Sequence, residues 1–113
     1  MIMAVNLDSI LADNGISRHN RIMQSRVTLK HRNEIAIKIS DWKSCAAFLE
    51  FSDQDIDDIA DEHRGNRQQR IAMLRQWDEK NGREATYLRL TEALAKIGRR
   101  DLVEELVSEA FRP

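Results

Sequence analysis

The segment that decides the fold is residues 67–86, which read RQQRIAMLRQWDEKNGREAT. Within it, Ile71, Leu74 and Trp77 recur at intervals of three residues, so on a helix they form one apolar stripe. Gly82 ends this helix, because glycine accepts the left-handed backbone that often follows a last helical turn. A polar step then leads into another apolar run. The segment therefore predicts two helices joined by a tight turn, with a buried indole as the anchor.

Apolar residues at helical spacing continue on both sides of this segment. The spacing and the capping residues predict further helices over about 29–39, after Ser40 or Asp41, after Ser52, over 87–97 after Thr86, and from Asp101 onward. In two of these starts an acidic residue stands three positions after the cap, as in a capping box: Ser52 with Asp55, and Asp101 with Glu104. The chain is long enough for one core only. We therefore expect an all-α domain of about six helices over residues 29–111.

Residues 1–28 have a weaker pattern. Leu7, Ile10 and Leu11 have helical spacing, but Asn14-Gly15 interrupts the run and a polar, basic stretch follows. We expect an N-terminal extension that is either partly disordered or contains one short helix.

The composition excludes several classes of function. The net charge of -1 at pH 7 argues against a general nucleic-acid binder, because such modules usually carry a basic excess. No stretch is long and apolar enough to cross a bilayer, so we expect no membrane insertion. The single cysteine, Cys45, falls on the same helical side as Trp42 and Leu49, which predicts a buried thiol in a reducing compartment. We expect a cytoplasmic protein.

No group of residues predicts catalysis or cofactor chemistry. The Asp53-x-Asp55-x-Asp57 pattern is similar to the start of a calcium loop, but Asp58 and Arg64 stand where that loop needs glycine and glutamate. We therefore expect no enzyme activity, no catalytic residue, no metal, no cofactor and no small-molecule substrate.

Several short motifs occur together in a distinctive order. They are Asp41-Trp42-Lys43, Ser52 to Ile59, Met73-Leu74 with Trp77, Asn81-Gly82, Ala85-Thr86, Leu90 to Ile97, and Gly98 to Val103. In this order and spacing the chain resembles a death domain, most closely the ankyrin and adaptor types. The resemblance implies an antiparallel six-helix bundle with Greek-key topology and no catalytic centre.

The resemblance also implies homotypic binding to other death domains, as an adaptor or signalling domain in apoptosis or innate immunity. The chain would lie in the cytoplasm, either free or as the cytosolic part of a receptor. Counting helices from Leu29, one kind of contact pairs the second and third helices with the first and fourth helices of a neighbour. Another pairs the fourth helix and the turn after it with the turn before the sixth.

The charges suggest how such contacts form. The third of these helices is acidic, with Asp53, Asp55, Asp57, Asp58, Asp61 and Glu62, and the fourth is basic, with Arg64, Arg67, Arg70 and Arg75 at or near it. Complementary potentials accelerate association and fix its register. In the second contact Arg99 and Arg100 would face Asp78 and Glu79 of a neighbour. The expected protein-binding residues are therefore Asp55, Asp57, Asp58, Asp61, Glu62, Arg67, Arg70, Arg75, Arg99 and Arg100.

Two alternatives remain open from the sequence. The acidic helix could be a solvated face that only keeps the protein soluble. From a different class, the chain could be a small helix-turn-helix DNA-binding protein that reads bases with residues 67–77 or 87–97. The acidic helix nearby would repel phosphates, and the glycine turns lack the usual helix-turn-helix spacing. We therefore expect partners that are proteins: other death domains, the chain itself, or both.

Overall fold

The computed structural model describes residues 4–112, and helices form nearly all of its regular structure. The helices are α1 (Leu7–Asp13), α2 (Leu29–Lys38), α3 (Trp42–Phe48), α4 (Asp53–Glu62), α5 (Asn66–Asn81), a 3-10 turn (Gly82–Glu84), α6 (Tyr87–Lys96) and α7 (Arg100–Ala110). The only β pairing in residues 4–112 is one isolated bridge between Arg26 and Thr86.

The caps explain why most helices begin where they do. The side chains of Thr28, Asp41, Ser52 and Thr86 each accept a hydrogen bond from the backbone N–H of the third helical residue of α2, α3, α4 and α6. The predicted caps at Ser52 and Thr86 are confirmed, and the capping box at Ser52 is complete. Gly82 has φ of 54°, which is the left-handed backbone expected after α5.

The predicted start of the last helix is wrong. Helix α7 begins at Arg100, with Arg99 as its N-cap and no side-chain cap bond. Asp101 lies inside the first turn, and its carboxylate pairs with the Arg99 guanidinium at 3.0 Å. The carboxylate therefore complements the helix dipole instead of capping the helix.

Both tryptophans lie in one core. Trp42 and Trp77 are almost fully buried in the same hydrophobic cluster. The Trp42 Nε1–H donates to Gln69 Oε1 at 3.1 Å, which satisfies the only polar group of that indole. Cys45 is buried beside them, and burial raises the pKa of its thiol to about 12. The thiol is therefore a core group and not a nucleophile.

Helices that are distant in sequence pack together. Helix α2 packs against α5 and α7, α3 packs against α5 and α6, α4 covers α3 and α5, and α6 packs along α7. The six helices α2 to α7 thus share one interior, and the predicted all-α, six-helix bundle is confirmed.

Residues 5–27 form a segment that we call the N-terminal strap. Its α1 packs against α6, and its buried residues belong to the same core: Leu7, Ile10, Leu11, Met23 and Val27. Five apolar side chains join this segment to the six-helix bundle.

The strap also completes the backbone hydrogen bonding at the start of α6. The first N–H groups of a helix have no partner inside it. Here the N–H of Tyr87 donates to Ser25 O at 3.1 Å, and the N–H of Leu88 donates to Met23 O at 2.9 Å. The Val27 N–H donates to Ala85 O at 2.9 Å. The strap therefore caps α6 with its main chain.

Candidate protein-binding surfaces

The outer side of α4 is an acidic face, which we define as Asp57, Asp58, Asp61 and Glu62. All four side chains are exposed. The ion pairs found in residues 4–112 leave these four carboxylates without a basic partner, and Asp58 accepts only a hydrogen bond from Gln54 at 2.8 Å. Like charges three or four residues apart destabilise a helix by about 0.2–0.5 kcal/mol per pair. The acidic face is thus an uncompensated charge cluster.

Asp55 has a different environment from this face. Its carboxylate accepts the Ser52 N–H at 3.2 Å as part of the capping box, and it pairs with Lys80 Nζ at 3.3 Å. The hydrogen bonds from Ser52, together with that from Lys80, lower the pKa of Asp55. Asp55 is therefore engaged within the molecule, although it belongs to the same helix.

The matching basic surface lies on α5. Arg67, Ile71 and Arg75 are spaced four residues apart and form one ridge, and Arg64 lies just before the helix. Arg64, Arg67 and Arg75 are exposed, and none of them pairs with a carboxylate of residues 4–112. We call these three arginines the basic face. Gly65, with φ of 85°, turns the chain sharply between the acidic and basic faces.

Arg70 is not part of this exposed ridge. It is half-buried, and its Nη1 donates to the Ile39 carbonyl oxygen at 2.7 Å. The buried Nε of Arg70 has no partner in the described residues. The guanidinium ties α5 to the turn between α2 and α3, so its position is fixed by the fold.

Two large apolar side chains are exposed on α2, the neighbour of α5. The exposed fraction is 61% for Leu29 and 49% for Ile37. A link between Arg32 and Asp78 at 3.0 Å fixes α2 alongside α5. The sequence does not distinguish Leu29 and Ile37 from core residues, because their helical spacing resembles that of core residues. Their exposure follows from how α2 packs against α5 and α7 in the folded chain.

In the predicted contact between the turn before the last helix and a neighbour's fourth helix, one of the two expected carboxylates is already paired within the chain. Asp78 lies between Arg26 at 2.8 Å and Arg32 at 3.0 Å, and only 14% of its side chain is exposed. The hydrogen bond from Arg26, aided by the charge of Arg32, lowers the pKa of Asp78. The expectation that Asp78 pairs with an arginine of a neighbour is therefore wrong, because the chain itself uses this carboxylate. Glu79 remains exposed.

The two arginines before α7 also differ from each other. Arg99 pairs with Asp101 and donates from Nη1 to the Lys38 carbonyl oxygen at 3.2 Å, so it clamps α7 to the end of α2. The pairing with Asp101 raises the pKa of Arg99 and lowers that of Asp101. Arg100 is more exposed and pairs only with Glu104, one turn away, at 2.9 Å.

Within residues 4–112, no three His, Cys, Asp or Glu side chains are grouped so that they could hold a metal ion. Over the same range, no helix combines the length and apolarity that crossing a bilayer requires.

Comparison with known families agrees with this architecture. Residues 31–110 match the family model described as the death domain. Comparisons with curated proteins and with solved structures give no significant match. Death domains are protein-interaction modules of signalling, not enzymes, and they bind other death domains. Because the matched region covers more than half of the chain and coincides with α2 to α7, the chain belongs to the death-domain family.

Proposed function

We propose that the chain is an adaptor or signalling domain in apoptosis or innate immunity, and that it assembles with copies of itself or with related death domains. The observation that supports this proposal is the presence of two opposite charge clusters that have no ion-pair partner in residues 4–112: the acidic face on α4 and the basic face at and just before α5. We also propose that the chain acts in the cytoplasm, either free or as the cytosolic part of a receptor, where such partners occur.

Docking of the acidic face on the basic face of a neighbour relieves the repulsion within α4. Arginine suits this contact because its planar fork pairs with a carboxylate through two parallel hydrogen bonds. Exposed ion pairs contribute only about 0–1 kcal/mol each. The charges therefore affect the register of the contact and the rate of association more than the affinity. Leu29 and Ile37, exposed on α2, add apolar contact area.

The contact is head-to-tail. The two faces are different surfaces of the same chain, so a neighbour bound through its acidic face still presents its own basic face. Head-to-tail contacts produce closed rings or open-ended assemblies. A second, weaker contact would pair Arg100 with Glu79 of a neighbour. Asp55, Arg70 and Arg99 would then stabilise the docking helices from within the molecule.

Charge reversal on each face tests this proposal. We expect D58K in the acidic face and R67E in the basic face each to abolish self-association, measured by multi-angle light scattering at low salt. An equimolar mixture of the two variants keeps one intact face of each kind. It should form a 1:1 dimer that grows no further. Reversal of the exposed Asp13, at the end of α1, is the matched control and should leave association unchanged.

Ionic strength supplies an independent check. The Debye length falls from about 10 Å at 0.1 M salt to about 3 Å at 1 M, so association should weaken steeply over this range. Binding that is the same at both salt concentrations, or a mixture of D58K and R67E that stays monomeric, would refute docking through these faces.

A further inference from the structure

A second concentration of positive charge lies outside the basic face. Residues 14–33 contain no Asp or Glu, although the whole chain has a net charge of -1. The basic residues of this stretch are Arg18, His19, Arg21, Arg26, Lys30, His31 and Arg32.

The acid-free segment borders a surface depression of about 390 Å³. The depression lies between the strap, the start of α2 and the end of α7. Its polar lining includes Ser25, Arg26, Thr28, Lys30, His31 and Arg112. Cations from three separate parts of the fold therefore surround one cavity.

Several hydrogen-bond donors in the depression are free. Arg26 uses Nε and Nη2 on Asp78 and keeps Nη1 available. The hydroxyl oxygen of Thr28 accepts the His31 N–H at 3.3 Å, and no acceptor for its proton occurs in the described part of the chain. Lys30 is exposed and makes no ion pair within residues 4–112. These groups can donate to an incoming anion without breaking an existing bond.

The remaining lining residues are one carboxylate, one tyrosine hydroxyl and two apolar side chains, and they determine the charge and shape of the depression. Among the described residues of the lining Glu109 is the only one with a carboxylate, which lies 3.3 Å from Arg112 Nη1 and 3.9 Å from His31 Nε2. The Tyr87 hydroxyl lies 2.6 Å from His31 Nδ1 and holds the imidazole in place. Ile22 and Ala110 add apolar wall. Arg26 shares Asp78 with Arg32, and Arg112 pairs with Glu109, so these groups together with Lys30 keep a net positive charge around the cavity.

We propose that this depression binds the phosphate group of a phosphorylated serine or threonine on a protein partner. A phosphate ester carries about -1.5 to -2 charges at pH 7 and three acceptor oxygens, which matches several converging donors better than a carboxylate does. A side chain of this kind also has a short apolar stem for the Ile22 wall. Membrane binding is less favoured, because Ile22, 37% exposed, is the only large exposed apolar side chain in the lining.

The experiment is a titration followed by backbone amide NMR, with a short phosphoserine peptide, its unphosphorylated form and inorganic phosphate as probes. We expect saturable shifts at Thr28, Lys30 and His31 with the phosphopeptide, weaker shifts at the same residues with phosphate, and none with the unphosphorylated peptide. K30A should weaken phosphopeptide binding about tenfold, which corresponds to the loss of one charge-assisted hydrogen bond. The matched control is K43A, an exposed lysine on α3.

One variant gives a gain of binding. E109Q removes the carboxylate that the described lining contains while keeping an acceptor for Arg112, so it should bind the phosphopeptide more tightly than the natural chain. The proposal fails if no probe shifts these residues, or if K30A binds as K43A does. It also fails if vesicles containing phosphatidylserine bind in a Lys30-dependent way while the phosphopeptide does not, because the site would then be a membrane contact.

Discussion

At the scale of single residues, Trp77 carries a large share of the stability. The side chain is almost fully buried, and core truncations of this kind cost about 3–5 kcal/mol. Domains of this size have a total stability of about 5–15 kcal/mol. We therefore expect W77A to lose most of its free energy of unfolding and to have a much lower urea midpoint than the natural chain. F48A removes a large aromatic group that is nearly half exposed and should change the midpoint little. Equal losses in the two variants would contradict the burial of Trp77.

Asp78 gives stability a pH dependence. Because Arg26 and Arg32 lower the pKa of its folded-state carboxyl, its contribution is fully present above the unfolded pKa of about 3.9. The contribution is lost as the pH falls through the lower, folded-state value. Acid titration of the free energy of unfolding should therefore show a steeper decline in the natural chain than in D78N. D13N, which changes an exposed carboxylate, should retain the steep decline.

These residue-level roles were only partly predictable from sequence. The burial of Trp42, Cys45 and Trp77 follows from helical spacing, which needs only local information. The internal partners of Asp78, Arg70 and Arg99 depend on which distant side chains the packing brings close. Nothing in the local sequence distinguishes an arginine that clamps a neighbouring helix from one that faces solvent.

At the scale of elements, α4 depends on its N-terminal cap. Ser52 and Asp55 form the complete capping box, and loss of a serine cap costs about 0.5–2 kcal/mol. The cost should be high in this range, because α4 also contains mutually repelling carboxylates. We expect S52A to lower the free energy of unfolding by about 1–2 kcal/mol in urea denaturation. S108A, an exposed position within α7, should be neutral or slightly stabilising. A neutral S52A would show that the core alone fixes α4.

The sequence predicted the elements well wherever a cap and an apolar stripe agreed. Thr86 and Ser52 mark their helices in the sequence and in the structure. The start of α7 was misplaced because Asp101 and Glu104 have capping-box spacing, yet the Asp101 carboxylate is engaged by Arg99. Whether such a carboxylate caps a helix or pairs with a nearby cation depends on the folded structure, and the spacing of a motif does not predict it.

At the scale of the whole molecule, we propose that the folded unit begins in the strap and not at Leu29. Met23 is completely buried, so M23A should cost about 2–5 kcal/mol, as in any well-packed core. I22A, at the neighbouring and partly exposed position, is the matched control. Urea denaturation distinguishes the two cases. A strap that is only loosely attached would make both substitutions nearly neutral.

The sequence left the role of residues 1–28 open for a physical reason. The family match begins at residue 31, and the strap has little regular spacing outside α1. Its stabilising contacts are main-chain bonds to α6 and ion pairs such as the one between Arg18 and Glu92, 74 residues apart. Contacts between residues so far apart in the chain cannot be predicted from the local spacing of apolar and capping residues.

The attachment of the strap to α6 also affects how the chain is made. Thr28, directly after the strap, and its partner Tyr87 on α6 are separated by 59 residues, which take roughly 3–12 s to synthesise at about 5–20 residues per second. During that time the five apolar side chains of the strap that become buried have no α6 surface to cover them. The strap is therefore buried only after α6 has been made, and chaperones that bind short apolar peptides can bind it during that interval.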